Sequence, residues 1–248
     1  IRDRTYITSR LGPGSYKLGF HPDGPYLEEY WGDSATFSSA TPITLTQGQQ
    51  RTGINPTVDL GATISGTVTN LNNEPISGSG VVYDQHDGYV TWFDFYDGTF
   101  ITRGLPAGSY KLEFFPENPY VGEYWQDSST SDAATIIALS EREQLTGINP
   151  VVNLGSTISG TVTNEAGEPV FGQVFVGDEF SAQGVSIRAD GTYVTQLLRP
   201  GDHKVWFVPD GPYLTKYWED GATIEEATTI TVSEDEDITG VDGIVELG

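Results

Sequence analysis

The phrase Gly61-Ala62-Thr63-Ile64-Ser65-Gly66-Thr67-Val68-Thr69-Asn70 returns at Gly155-Ser156-Thr157-Ile158-Ser159-Gly160-Thr161-Val162-Thr163-Asn164 with one change, a step of 94 residues from 61 to 155. Other landmarks keep that register. Gly14-Ser15-Tyr16-Lys17-Leu18 recurs at Gly108-Ser109-Tyr110-Lys111-Leu112, and more loosely at Gly201-Asp202-His203-Lys204-Val205. Tyr30-Trp31 reappears as Tyr124-Trp125 and Tyr217-Trp218. Thr52-Gly53-Ile54-Asn55-Pro56 reappears as Thr146-Gly147-Ile148-Asn149-Pro150, and weakly as Thr239-Gly240-Val241-Asp242-Gly243. A fixed period of this kind governs the whole architecture. It divides the chain into a partial repeat over 1–60 that lacks its opening strands, a complete repeat over 61–154 and another over 155–247. Gly248 stands where a further copy would open.

Inside a repeat the hydrophobic period is two. Tyr110-Lys111-Leu112-Glu113-Phe114 alternates apolar with charged residues, as a strand with one buried face does. Turn signals such as Asn72-Asn73-Glu74-Pro75, Asp97-Gly98 and Leu105-Pro106-Ala107-Gly108 separate the stripes. About seven short strands per repeat read as an all-β fold, a tandem array of seven-stranded, Ig-like or prealbumin-like β-sandwich domains. Each repeat is long enough for its own core, unlike the turns of a solenoid. Leu60 runs into Gly61, and Leu154 into Gly155, with almost no linker, so the array should be rod-like.

Composition narrows the partners. Twelve Lys and Arg against 35 Asp and Glu give a net charge of −23, which repels nucleic acid and anionic membrane faces. There is no Cys, so thiolate metal sites and cysteine nucleophiles are excluded. No apolar run reaches the roughly 20 residues of a membrane span, so no membrane insertion is expected within these residues. The three histidines, His21, His86 and His203, occupy non-equivalent repeat positions, and no catalytic motif stands out. His203 replaces Tyr16 and Tyr110 on an inward face and reads as a core substitution.

The run from Asp97-Gly98-Thr99-Phe100 through Leu105-Pro106-Ala107-Gly108-Ser109-Tyr110-Lys111-Leu112, preceded by Ile64–Thr69 and Glu74-Pro75, resembles the carboxypeptidase-regulatory-like domains. These belong to the broader prealbumin-like and collagen-adhesin-B-like sandwich group of exported bacterial surface proteins. Repeat three keeps Asp190-Gly191-Thr192-Tyr193 and Pro200-Gly201. The resemblance implies a sandwich that serves as stalk, spacer or appendage, without a catalytic centre of its own. Some collagen-adhesin-B-like domains carry a Lys–Asn or Lys–Asp isopeptide bond from the first strand. Lys17, Lys111, Lys204 and Lys216 all lie off the first strand, so that bond is not expected here. Lys17, Lys111 and Lys204 alternate with core residues and should face water.

The block Pro25-Tyr26-Leu27-Glu28-Glu29-Tyr30-Trp31-Gly32-Asp33 and its counterparts form the most distinctive feature. Tyr30, Trp31, Tyr124, Trp125, Tyr217 and Trp218 read first as an aromatic plug over the end of the sandwich. The other reading is an exposed platform on which sugar rings or a partner stack. Asp33, Asp127 and Asp220 follow at fixed spacing. They read as turn or capping residues before they read as Ca2+ ligands, since no dense Asp loop accompanies them. No cofactor is required. Ser233-Glu234-Asp235-Glu236-Asp237 reads as an acidic hairpin tip whose charge is lost in the other repeats.

These readings describe a non-catalytic extracellular or cell-surface structural protein, a stalk, adhesin shaft or filament subunit. Its partners are other copies of itself or neighbouring repeats. The alternative is a carbohydrate-binding or spacer module of a secreted hydrolase, with polysaccharide as partner. The incomplete first repeat would leave sheet edges open to pairing with a neighbouring chain if Ile1 were a processed terminus.

Overall fold

Alternating stripes become strands wherever one face can be buried. A computed structural model describes residues 5–177 and 182–248, with Asp220 described by its backbone alone. The opening segment forms β1 (Gly14–Tyr16), β2 (Gly19–Phe20), β3 (Glu29–Tyr30) and β4 (Ile43–Leu45), with β1 antiparallel to β4 and β2 to β3.

Next come β5 (Thr63–Thr67), β6 (Gly78–Asp84), β7 (Tyr89–Phe95), β8 (Thr99–Ile101), β9 (Gly108–Pro116), β10 (Glu123–Tyr124), β11 (Ile137–Leu139) and β12 (Gln144–Leu145). One sheet runs β12-β5-β8 and the other β10-β9-β6-β7. Strand β11 pairs with β9 at Ser109 and Tyr110, while β10 pairs with it at Glu113 and Phe114. Both short strands thus lie along the same edge of β9, as one strand interrupted by the Trp125 turn. Three positions in one sheet and four in the other make seven.

The last unit repeats the plan with β13 (Thr157–Asn164), β14 (Gly172–Gly177), β15 (Ala182–Ser186), β16 (Thr192–Val194), β17 (Gly201–Pro209), β18 (Lys216–Tyr217), β19 (Ile230–Val232), β20 (Asp237–Ile238) and β21 (Gly243–Val245). Its sheets are β16-β13-β20, with β21 also on β13, and β15-β14-β17-β18, with β19 also on β17. In both units the closing strand runs parallel to the opening one: β12 beside β5, and β20 and β21 beside β13. The opening strand shares a sheet with the fourth and last, unlike the constant-type immunoglobulin arrangement, where it sits beside the second.

Each pair of sheets encloses a separate core. Ile64, Val82, Phe95, Leu105, Leu112 and Phe114 anchor one; Ile158, Val174, Tyr193, Leu198, Val205 and Phe207 anchor the other. Phe93 and Phe100 stack at 4.8 Å, and Phe114 meets both rings edge-on. Among the described residues no helix is long and apolar enough to cross a membrane.

Candidate functional site

The Pro-Tyr block does its work at the joint between units. Pro25 and Pro119 each place a carbonyl where the glycine opening the following unit donates to it, Gly61 N at 2.8 Å and Gly155 N at 2.9 Å, and Pro212 accepts from Gly248 N at 2.8 Å in the same way. The following tyrosine bridges the last residue of its own repeat, as Tyr26 with Leu60, Tyr120 with Leu154 and Tyr213 with Leu247. One residue on, the Leu27, Val121 and Leu214 amides donate to Asp59, Asn153 and Glu246 carbonyls. The block therefore lays a short antiparallel splint beside the chain just where it leaves one sandwich for the next.

The joints are tight as well as splinted. A Cβ on Gly61 would lie 2.6 Å from Leu27 and 2.7 Å from the Gly104 carbonyl carbon; one on Gly155 would lie 2.7 Å from Leu197 and 2.8 Å from Val121. Only glycine fits between those neighbours. Tyr120 also ties the splint to the first strand, since Asn70 Nδ2 donates to its hydroxyl at 3.1 Å. Asn70 Oδ1 meanwhile accepts from the Asn72 and Glu74 amides. Asn164 repeats the arrangement with Tyr213 and Glu168.

The tryptophans that close the block are half-buried. Trp125 and Trp218 pack against the cores of their units, and the Trp31 and Trp125 amides donate to Leu18 and Leu112 carbonyls at 2.9 Å. Tyr30, Tyr124 and Tyr217 are also half-buried, on the outer side of their sheets. Burial and the nearby Glu113 carboxylate push the Tyr124 hydroxyl up to about 12. Asp33 and Asp127 adopt positive φ, 52° and 59°, in the turns closed by the Tyr30–Ser34 and Tyr124–Ser128 bridges. The Asp220 side chain lies outside the described residues. Among the described residues no group of three acidic or histidine side chains gathers as a cation site.

The lysines depart from expectation. Lys111 is buried rather than facing water, with Nζ donating to Asp87 at 2.9 Å and to the Ser131 hydroxyl at 3.1 Å. Lys17 donates to the Phe37 and Ser38 carbonyls, and Lys204 to those of Ile224 and Glu225, all within 2.8 Å. The reason is that the loop about twenty residues on folds over the face each lysine occupies, and its oxygens take the ammonium. Each therefore clamps the loop after the tryptophan turn.

Two further groups had little signal in the sequence. Arg199, in the loop before β17, donates to the Gly122 carbonyl of the preceding unit and stands 3.7 Å from Asp127. Glu123, only 3% exposed, lies on the core side of β10 opposite Phe114. Burial first, then the Asp127 carboxylate, push its pKa up to about 7 against the pull of Arg199. A cleft of about 1170 Å³ opens at this joint, lined by Asp127, Asn153, Gln183, Gln196, Arg199 and His203 among others.

No family model and no curated protein matches the chain. Among solved structures it is similar to the TIE protein of Bacillus anthracis at 13% identity and TM-score 0.33, covering 95% of this chain. The chain spans 42% of that protein's length. A streptococcal ancillary pilin matches at 13% identity and TM-score 0.40, over 98% of this chain and 80% of the pilin. The minor pilin GBS52 of Streptococcus agalactiae matches at 11% and 0.41, over 76% of this chain and 97% of its own. With scores this low, the functional reading rests on the geometry of the joints.

Proposed function

We propose that this chain is a non-catalytic structural element of the cell exterior, a segment of a stalk, shaft or filament whose units are held in fixed succession. The observation that carries it is the repeated splint, Pro25, Pro119 and Pro212 carbonyls bound by Gly61, Gly155 and Gly248 amides. Those bonds join backbone to backbone, so they need no particular side chain and recur at each joint. A free tether would leave the same amides to water. The neighbours along the array are other β-sandwich repeats, and the strongly acidic surface keeps such a shaft soluble and unattached to nucleic acid. Half-buried Trp125 and Trp218, packed on the cores, favour this reading over a sugar-stacking role for the aromatic blocks.

Small-angle scattering of the chain at pH 5 and moderate salt tests the proposal. A pair-distance distribution with the long tail of an extended body is expected. A compact or freely jointed distribution would end the rod reading.

A further inference from the structure

The joint between the second and third units differs from the joint before it around Glu123 and Arg199. At the earlier joint Glu29, the counterpart of Glu123, is half-buried, and the position matching Arg199 is Pro106. At the later joint Arg199 reaches back across the boundary, donates to the Gly122 carbonyl and approaches Asp127, and Glu123 is almost fully buried. The extra burial of Glu123 thus coincides with the cap that the third unit provides.

We propose that this joint is a pH-responsive hinge: it is locked when Glu123 is protonated and loosens when Glu123 ionises. The groups facing Glu123 are few. Asp127, in the turn after β10, shares a hydrogen bond with it. Arg199 faces it from the third unit, and Glu113 of β9 stands near Arg199. His203 of β17 holds the loop by its ring at 2.8 Å from the Arg199 carbonyl, and Asp202 lines the same cleft while accepting from Thr231. Phe114, the cross-strand partner, brings no charge.

When Glu123 is neutral, its proton bridges to Asp127 and one guanidinium faces one carboxylate. Once Glu123 loses that proton, its buried carboxylate and the exposed carboxylate of Asp127 share a single Arg199. Opening the joint returns water to the extra carboxylate, which relieves the largest contribution to its raised pKa. A raised acid favours the closed state below its ordinary value of 4.5, and that advantage is lost as pH rises toward about 7. If one pKa unit of the shift belongs to the joint, the open fraction rises about tenfold across that window.

The chain has no cysteine, so Asp132→Cys and Glu165→Cys introduce a clean donor–acceptor pair on exposed positions flanking the joint. Single-molecule energy transfer should give a narrow distance distribution at pH 5 and a broad one at pH 8. Glu123→Gln should stay narrow at both, and Arg199→Met, which removes the cap, should be broad at both. A wild-type width unchanged between the two pH values, or a Glu123→Gln chain that broadens as the wild type does, would overturn the hinge. A distribution already broad at pH 5 would instead sink the rod reading, so the two failures are distinguishable. Far-UV circular dichroism of each variant separates a loosened joint from an unfolded unit.

Discussion

Tyr16 and Tyr110 each donate a hydroxyl to the carbonyl four residues upstream, Gly12 and Pro106, at 2.8 Å. His203, in the same repeat position, places Nε2 at 2.8 Å from the Arg199 carbonyl. An imidazole thus does the work of a phenol, pinning the turn that leads into the long central strand. The expectation that His203 substitutes for tyrosine on an inward face fits this role, although the sequence offered no view of the bond itself. Removing such a bond strands a carbonyl on a partly buried turn. Tyr110→Phe should therefore cost the second unit about 1 kcal/mol. His203→Tyr, which restores the usual partner, should leave the third unit within about 0.5 kcal/mol of its present stability. Urea transitions of the two units, followed by aromatic fluorescence, check both.

At the scale of elements, the parallel closing strand decides which residues are permitted on the opening one. A Cβ on Gly66 would sit 1.7 Å from the Ile148 carbonyl oxygen, and on Gly160 it would sit 2.2 Å from that of Val241. The Asn149 and Asp242 side chains accept from the Thr67 and Thr161 amides beside them, at 3.0 and 2.7 Å. That explains why the Ile-Ser-Gly-Thr-Val phrase and the Thr-Gly-Ile-Asn-Pro phrase repeat together: they are the two sides of one contact. Gly66→Ala must push the closing strand away and should cost about 3 kcal/mol. Gly167→Ala, in open space at φ +78°, should cost only the backbone strain, about 1 kcal/mol. Equal losses in thermal or urea unfolding would refute the close-contact explanation. The acidic tip belongs here too. Glu236 accepts from Ser233 N as Glu143 does from Ser140 N and Gln49 from Thr46 N. The turn is the feature all three share, while in the third unit Glu234 also accepts from the Leu154 amide at 2.8 Å across the joint.

For the molecule as a whole, the joints decide whether two independent cores behave as beads on a string or as one body. Gly155 is where the splint, Val121 and Leu197 converge. Gly155→Leu has no room there and should separate the second and third units without reaching either core. Its scattering profile should lose the long-distance tail while both unfolding transitions persist. An unchanged profile would mean that the joint tolerates side chains and that its stiffness has another source.

The period, the alternation and the turn residues were legible in the linear sequence because each is a local rule repeated in register: strands need a period of two, and tight turns need Gly, Asn or Asp. The same repetition marked the Pro-Tyr-Trp block as special. It could not say what the block touches, because the splint is a backbone contact between residues 30 or more positions apart. The lysine clamps were misread for a related reason. Alternation assigns a face but not what later folds over that face, and the loops carrying Ser131 and Glu225 return from about twenty residues downstream. Glu123 and Arg199 were invisible as a pair because one lies in each unit, and a carboxylate in so acidic a chain gives no signal until its burial is known. The sequence by itself determined strands, repeats and the absence of a linker. Only the tertiary structure decided how the joints are closed, because closure depends on which backbone groups and charges two neighbouring cores bring within reach of each other.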